Sequence, residues 1–384
     1  MFERTKSIQL SVIKQMELLA SRYANVVSLA QGIPSFDTPS AIKRRASRAL
    51  DDGVVAKYSL SPGLPELREL IELSLANDNM FYDWQSEIIV TAGSIEALTA
   101  TLLTITMPGD EIIIPDPTYT SYREVIRLCG CEPVYAKLDE ANGWAFDLET
   151  IKNAISEKTK AIFFCNPNNP TGTVYSKEQL LALAQVAEEN NLYIISDEAY
   201  KDFIYDDLTF FSLAEDLKYR KRFIRVFTFS KAFAMTGWRV GYVHSDASII
   251  KEIMKVHDAL VTCAPVVSQY AAMGALEMGQ EWIELFKKEY AKRRDLICTA
   301  LDSLGDKLTY TRPTSAYFVM PKYQGTKPSF DLAVDILAKV KLATVPGSAF
   351  GPAGENHLRL SFGRKEEDII EGMKRLEQYF NSNP

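Results

Sequence analysis

Short apolar runs alternate with amphipathic stretches through residues 86–245 of the chain. Each run ends beside Gly, Pro, Asn or Asp or a polar cluster, as buried strands of a parallel sheet do. Segments of helical periodicity lie between the runs, and this order is typical of βαβ units. The predicted strands span 87–90, 111–115, 161–165, 193–196 and 225–229. We therefore predict an α/β fold with a mainly parallel central sheet flanked by helices.

The pattern changes beyond residue 281. A long, charged, amphipathic helix is predicted over 282–305, followed by a strand at 316–320 and a final helix at 365–380. Within the first of these helices, the charge-rich stretch 287–294 is expected to form a solvated face. The apolar face of the final helix comprises Ile369, Met373, Leu376 and Phe380, with Ile370 beside them. This change in the pattern of predicted elements indicates a second domain.

Composition excludes several classes of partner. The chain has 384 residues, of which 47% are hydrophobic and 24% charged, with a formal net charge of −7. This acidic balance offers no basic surface for a phosphate backbone, so we expect no nucleic-acid partner. The start of the chain lacks the apolar core of a secretory signal, and the most apolar stretch, 88–107, contains Glu96. We therefore expect no membrane partner.

The cysteines and histidines have no metal-site spacing. Five cysteines are scattered without a CxxC pair, which suits a reducing compartment and predicts a cytoplasmic protein. The three histidines, His244, His257 and His357, lie far apart in sequence. We therefore predict no metal site.

Polar residues cluster just past three predicted strands, where parallel α/β sheets place their active sites. The segments are 166–172, 196–200 and 228–239. The first could be an ordinary turn and the second a helix cap. In the third, Lys231 stands among hydroxyls at the end of an apolar strand, with Arg239 eight positions on. Packing explains this cluster poorly, and a solvated surface lysine is the alternative.

These three segments and four others resemble the class I aminotransferases, of the aspartate and aromatic aminotransferase kind. The four others are LAQGIPSFDTP near the start, KYSLSPGLPELREL at 57–70, DPTYTSY at 116–122 and HLRLSFG at 357–363. They follow the family's order over nearly the whole chain, whereas any single motif has a modest false-positive rate. The resemblance implies the fold-type I architecture of pyridoxal-phosphate enzymes. It divides the chain into a large cofactor-binding domain (46–280) and a smaller α/β domain from both chain ends (1–45 and 281–384).

The resemblance implies that Lys231 carries pyridoxal 5′-phosphate as a Schiff base and later acts as general base. Asp197 matches the acid that keeps the cofactor's ring nitrogen protonated. Asn169 and Tyr200 match the two donors to the ring hydroxyl, and Tyr119 matches the aromatic residue that stacks on the ring. The expected catalytic residues are Lys231, Asp197 and Tyr200.

The remaining matches concern the cofactor phosphate and the substrate carboxylate. The implied phosphate site combines the turn at a helix N-terminus with polar side chains. Its members are Gly93, Ser94, Ile95, Thr228, Ser230 and Arg239, with Tyr58 reaching in from a neighbouring subunit of a homodimer. Arg359 matches the arginine that binds the substrate α-carboxylate. Gly32 matches a residue whose backbone contacts the substrate near this group, and Asn169 matches a third residue that contacts the substrate.

The implied activity is transfer of the α-amino group of an L-amino acid to a 2-oxo acid, with 2-oxoglutarate as the usual acceptor. Ile95 stands where some aspartate-specific relatives carry a lysine, so a broad donor range that includes aromatic amino acids is expected. Tyr122, Phe36 and Phe350 could supply apolar walls, and Arg123 a replacement cation. A pyridoxal-phosphate-dependent lyase and a non-catalytic cofactor-sensing regulator are the alternatives, although only about 25 residues precede the first motif, too few for a DNA-binding domain.

Overall fold

Strands and helices alternate through the middle of the chain in the computed structural model, which describes residues 3–6 and 8–382. The strands are β1 (Val27–Ser28), β2 (Ile88–Thr91), β3 (Glu111–Asp116), β4 (Glu132–Lys137), β5 (Thr159–Cys165), β6 (Tyr193–Asp197), β7 (Phe223–Thr228), β8 (Gly241–His244), β9 (Leu308–Thr309), β10 (Phe318–Val319), β11 (Lys322–Tyr323), β12 (Leu342–Ala343), β13 (Val345–Pro346) and β14 (Leu358–Ser361).

The helices between and after these strands are α1 (Glu3–Lys6), α2 (Val12–Ala20), α3 (Ser40–Asp51), α4 (Pro65–Asn77), α5 (Ser94–Ile105), α6 (Thr120–Leu128), α7 (Leu148–Asn153), α8 (Lys177–Glu189), α9 (Ala247–Val261), α10 (Val266–Glu277), α11 (Glu281–Asp302), α12 (Ser329–Val340) and α13 (Glu366–Ser382). Within the described part of the chain, none of these helices is both long and apolar enough to cross a bilayer.

A seven-stranded sheet forms the centre of the fold, in the order β2-β8-β7-β6-β5-β3-β4. Strand β8 runs antiparallel to both of its neighbours, and every other neighbouring pair is parallel. The mainly parallel sheet confirms the predicted α/β class. Strands β4 and β8 were not predicted, because β4 is a half-exposed edge strand with charges at both ends and β8 is a short segment that begins with glycine.

Apolar side chains alternate between the two faces of this sheet. On β5, Phe163 belongs to one hydrophobic cluster, and its neighbours Ile162 and Phe164 belong to the other. The period of two follows from the pleat, which turns successive side chains to opposite faces. Helices cover both faces, so the strands other than the edge strand β4 are largely buried and need no polar side.

The two ends of the chain meet outside the central sheet. Strand β1 pairs in parallel with β12, and α13 packs against α11 and α12. Strands β10, β14 and β13 form a small antiparallel sheet beside them. This pairing agrees with a smaller unit built from both termini, while the boundaries 1–45, 46–280 and 281–384 stay predictions.

The apolar face predicted for the final helix is buried in α13, and Ile370, one helical step beside this face, is 52% exposed. Two other local expectations are wrong. The strand at 316–320 shrinks to β10, because Ala316 has a left-handed φ of 55° that interrupts the extended backbone. The stretch 287–294 is not a solvated face throughout, because Arg293 and Arg294 are buried.

Both buried arginines have partners on other segments. The guanidinium of Arg293 lies over the ring of Phe36, 4.9 Å from its centroid, and donates to Ser35 Oγ at 2.7 Å. Arg294 donates twice to Asp206, at 2.6 and 2.9 Å. These contacts join α11 to a segment near the N-terminus and to the loop after β6.

A buried ion pair stabilises the sheet beside the polar strand ends. Arg225 on β7 and Glu198, just past β6, are each at most 1% exposed, and Arg225 Nε donates to the carboxylate. Ser196 and Ser212 donate to the same carboxylate at 3.1 and 2.7 Å. The charges are matched, so removing one of them leaves the other uncompensated.

Replacing Glu198 with alanine should lower the free energy of unfolding by about 3 kcal/mol or more, because Arg225 remains buried without its carboxylate. Urea unfolding followed by circular dichroism measures the change. Glu149→Gln is the matched control: it breaks an exposed pair with Lys152, and we expect an effect within about 0.5 kcal/mol. Equal effects of the two substitutions would contradict this account.

Candidate active site

The carboxyl ends of β5, β6 and β7 open onto one cavity of about 130 Å³. Parallel pairing brings these ends to the same edge of the sheet, so the segments that follow each strand face one another. The cavity is lined by Ser94, Ile95, Tyr119, Tyr122, Cys165, Asn169, Asp197, Ala199, Tyr200, Thr228, Ser230, Lys231, Thr236 and Arg239. Ten of the residues singled out from the sequence for cofactor binding therefore meet in one place.

Lys231 lies in a loop just past β7, half-buried at this cavity. Its ammonium donates to the carbonyl of Gly32 at 3.2 Å and lies over the ring of Tyr200. Burial lowers the pKa of Lys231 to about 8, with the charge of Asp197 opposing the shift. An appreciable fraction of the amine is therefore neutral, and nucleophilic, near neutral pH.

Asp197 ends β6 and is 4% exposed. Its carboxylate accepts from the hydroxyl of Tyr122 at 3.0 Å and from the backbone N–H of Ala199 at 3.2 Å. Burial raises the pKa of Asp197 to about 6, and the Tyr122 hydrogen bond opposes the rise. The group is thus a buried carboxylate that is ionised above this pH and accepts from two fixed donors.

The Tyr122 contact was not predicted. The sequence suggests an apolar wall at this position, whereas the Tyr122 hydroxyl donates to the carboxylate and the ring packs on Phe163, 4.1 Å between centroids. The tyrosine hydroxyl is the one sequence feature that indicates such a contact, because a buried tyrosine usually has a hydrogen-bond partner.

A turn between β2 and α5 forms one end of the cavity. Gly93 has a φ of 84°, and a Cβ at this position would lie 2.5 Å from Nη2 of Arg239. The backbone therefore requires glycine, and a side chain here would also displace the exposed guanidinium of Arg239. The turn presents the N-terminus of α5 to the cavity, and the positive end of the helix with Arg239 makes this end suited to an anion.

Hydroxyl groups at the end of β7 complete the same wall. Thr228 Oγ1 donates to Ser230 Oγ at 2.9 Å, and the backbone N–H of Ser230 donates to Thr228 Oγ1 at 3.2 Å. Both residues are at most 5% exposed. The pair is held in place before any ligand arrives.

Arg359 lies on β14 and is fully buried. Its Nη1 is 3.5 Å from Asn169 Oδ1, its Nη2 donates to the carbonyl of Ala30, and its guanidinium lies over Phe318 and Phe350, 4.5 and 5.0 Å from their centroids. Burial lowers the pKa of Arg359 to about 10, so it stays charged at neutral pH. The Nε atom is buried and has no hydrogen-bond partner among the described residues, which leaves a donor for an anionic ligand.

Asn169 connects the two halves of the site. Its Nδ2 donates to the hydroxyl of Tyr200 at 3.3 Å, on the cavity side, while Oδ1 faces Arg359. Gly32 makes a similar link, because its carbonyl accepts from Lys231 and, at 3.1 Å, from Tyr317. A Cβ on Gly32 would lie 2.9 Å from the ring of Phe318, so only glycine fits this segment.

Other expected residues lie elsewhere. Tyr58 is 83% exposed and does not line the cavity. Phe36 stacks on Phe286 at 4.1 Å, Phe350 packs on Arg359 and Arg123 pairs with Glu124 at 2.7 Å. Within the described residues, no group of three or more His, Cys, Asp or Glu is placed to hold a metal ion.

The cavity fits the phosphorylated pyridine aldehyde that the sequence implies. An amine of lowered pKa, a buried carboxylate and an anion-binding turn stand around one space, and Tyr119 on its wall offers an aromatic face. Arg359, whose buried Nε has no hydrogen-bond partner among the described residues, lies next to Asn169 on the cavity wall, with Nη1 3.5 Å from Oδ1. The donors and charges therefore suit a cofactor at one end and an anionic substrate group at the other.

Comparisons with known proteins identify the family that the chain resembles over nearly its whole length. The profile of the family described as "Aminotransferase class I and II" matches residues 24–376. The aspartate aminotransferase of Pyrococcus abyssi is 38% identical over 382 residues, covering 98% of this chain and 97% of that protein. Aromatic-amino-acid aminotransferase 2 of Thermococcus litoralis is 33% identical over 98% of this chain and 97% of its own length. Among solved structures, aspartate aminotransferase from Thermus thermophilus with maleate superposes with a TM-score of 0.92 at 33% identity, covering 98% of this chain and 99% of that one.

Replacing Tyr122 with phenylalanine should raise the pKa of Asp197 further, by roughly one pH unit, because the charged carboxylate loses a hydrogen bond. The carboxyl C=O stretch in infrared difference spectra, followed against pH, measures the change. Asp197→Asn serves as the control that assigns the band. An unchanged titration midpoint in Tyr122→Phe would show that the hydroxyl does not stabilise the anion.

Proposed function

The chain belongs to the class I and II aminotransferase family and uses pyridoxal 5′-phosphate to transfer amino groups from amino acids to 2-oxo acids, and we propose that Lys231 is the lysine that performs this chemistry. The observation that carries the proposal is the position of Lys231, which shares one cavity with Asp197 and Tyr200 and has its amine over the Tyr200 ring, and the lowered pKa of this lysine supports it. When bound, the cofactor supplies an aldehyde that captures amines and a ring that takes up electrons.

We propose that Lys231, once free, moves the proton from the substrate α-carbon. Its lowered pKa supports this role, because a base is most effective when its pKa lies near the working pH. Asp197 would hold a proton on the cofactor's ring nitrogen, and its burial strengthens that interaction. The hydroxyl of Tyr200 and the amide of Asn169, 3.3 Å apart, would both donate to the ring oxygen, and Tyr119 would stack on the ring.

The proposed phosphate site is the turn Gly93-Ser94-Ile95 with Arg239, Thr228 and Ser230, and Arg359 is the proposed site of the substrate α-carboxylate. Gly32 and Asn169 would complete this second site. The two sites are joined through Asn169 and through the Gly32 carbonyl. Substrate bound to Arg359 would therefore contact the small unit and the cavity at once, which supports closure of the domain 281–384, together with 1–45, onto 46–280.

We propose a broad donor range that includes aromatic amino acids and aspartate, with 2-oxoglutarate as acceptor. Ile95 is a half-buried apolar residue on the cavity wall, and it would contact an apolar side chain favourably. The relatives carry both aspartate and aromatic names, which supports a range wider than one acid.

We also propose a homodimer in the cytoplasm. Tyr58 presents an 83% exposed aromatic ring next to 62% exposed Leu60, and burial of both against a second copy would remove apolar surface from water. The resemblance assigns Tyr58 to the neighbouring subunit's phosphate site. None of the five cysteines, all of which lie in the described part of the chain, forms a disulfide, which supports a reducing compartment.

A panel of single amino acids with 2-oxoglutarate tests the proposed function on wild type and Lys231→Ala. We expect turnover with aromatic donors and aspartate, and a fall of roughly three orders of magnitude or more in Lys231→Ala. Lys152→Ala, at an exposed pair, is the matched lysine control. Retained turnover in Lys231→Ala would overturn the assignment. Ammonia release without any 2-oxo acid would indicate a lyase.

Mixing two inactive variants tests the shared site. Lys231→Ala and Tyr58→Ala subunits each lack one part, but a mixed dimer contains one site with both residues if Tyr58 serves its neighbour. We expect activity to rise on mixing and re-association, to about a quarter of the wild-type value in a statistical mixture. Activity that stays at the sum of the two variants would contradict the shared site.

A further inference from the structure

His257 on α9 lies outside the cavity and has no role in the chemistry described above. It is fully buried, and both ring nitrogens have oxygen partners. Nδ1 is 3.1 Å from Glu96 Oε1, and Nε2 is 2.9 Å from the carbonyl oxygen of Ser61. A buried histidine with two such partners connects two segments that are far apart in sequence.

The first segment is the turn that begins α5. Glu96 lies in the first turn of this helix, and its Oε2 accepts from the backbone N–H of Ala92 at 3.1 Å. Its other oxygen faces His257. The carboxylate therefore ties the residue before Gly93 to the helix and is itself held by α9.

The second segment is the loop that carries Tyr58. Ser61 Oγ donates to Asp258 at 2.7 Å, and Ser59 Oγ accepts from Gln269 Nε2 at 2.9 Å. With the contact from His257 to the Ser61 carbonyl, the loop is fixed from α9 and from α10. Tyr58 is thus an exposed side chain on an anchored backbone.

The shape of the imidazole explains why a histidine suits this position. The Glu96 carboxylate lies at one ring nitrogen and the Ser61 carbonyl at the other. One rigid side chain can therefore contact both segments at once.

We propose that His257 is a positioning residue that, through Glu96, fixes the phosphate-binding turn and, through Ser61, couples it to the Tyr58 loop. The inference rests on the proposed assignment of that turn to the cofactor phosphate. It predicts that the two hydrogen bonds of one imidazole can be removed separately with different effects. Glutamine at 257 places an amide near Nε2 and keeps the Ser61 contact, whereas asparagine places one near Nδ1 and keeps the Glu96 contact.

Binding of pyridoxal 5′-phosphate and of pyridoxal to the cofactor-free chain, followed by visible absorbance, tests the link to the turn. The ratio of the two dissociation constants measures how much the phosphate group contributes to binding, because the rest of the cofactor is common to both ligands. In His257→Gln we expect the preference for the phosphorylated form to fall about tenfold, because the turn loses its tie to α9. In His257→Asn the preference should fall less than in His257→Gln, because the Glu96 contact is kept and only the Tyr58 loop is loosened.

Hydrogen exchange of the backbone over residues 57–64 tests the link to the loop. The two variants should now differ in the opposite sense. The amides of residues 57–64 should exchange about tenfold faster in His257→Asn than in wild type, and at about the wild-type rate in His257→Gln. Asp258→Asn is the matched control from the neighbouring residue, since it alters the Ser61 hydroxyl contact and should leave the phosphate preference unchanged. A purely structural role would instead lower the phosphate preference, speed the exchange over residues 57–64 and lower thermal stability in both variants alike.

Glu96→Gln supplies a second variant if those at 257 fail to fold. It removes a negative charge near the turn, which would strengthen phosphate binding if charge alone decided, whereas loss of positioning predicts weaker binding. Wild-type preference for the phosphorylated form, retained within about twofold in both His257→Gln and Glu96→Gln, would overturn the inference. Absence of that preference in wild type would instead overturn the phosphate site itself, and the inference with it.

Discussion

Parallel pairing of β5, β6 and β7 is the constraint on which the site depends. Parallel strands all end at the same edge of a sheet, so three segments far apart in sequence deliver Asn169, Asp197 and Lys231 to one cavity. Because both faces of these strands are covered by apolar clusters, the strand ends are held rigidly. The antiparallel strand β8 then places Arg239, two residues before it, back beside the turn that follows β2.

Burial at this edge gives the charged groups their chemistry. The same removal of water lowers the pKa of Lys231 and raises that of Asp197, so each group is moved towards the pH at which proton transfer is useful. Glu198, the next residue along the chain, is buried as well but is paired with Arg225. Asp197 and Glu198 thus differ in role although they are adjacent, because only Glu198 is paired with a fixed cation, Arg225.

The sequence predicted those features that depend on local pattern. The apolar strands and the polar residues after them were visible because buried strands and their ends differ sharply in polarity. Strand β4 was not predicted, since a half-exposed edge strand has no such contrast in polarity with the residues around it. Tyr122 and Arg293 were misread for another reason: a hydroxyl on a carboxylate and a guanidinium on Phe36 are contacts between distant segments. The histidines were judged only for metal spacing, so the contact of His257 with Glu96 was not foreseen.

The parallel pairing of β1 with β12 has a consequence for the order in which the chain can fold during its synthesis. All seven strands of the central sheet, and every residue that lines the cavity, have left the ribosome once residue 244 has emerged. The pairing of Val27 with Leu342 and the packing of Gly32 on Phe318 and Arg359 can form only after these later residues have been synthesised. A nascent chain can therefore complete the proposed cofactor pocket well before it possesses the proposed clamp for the substrate carboxylate.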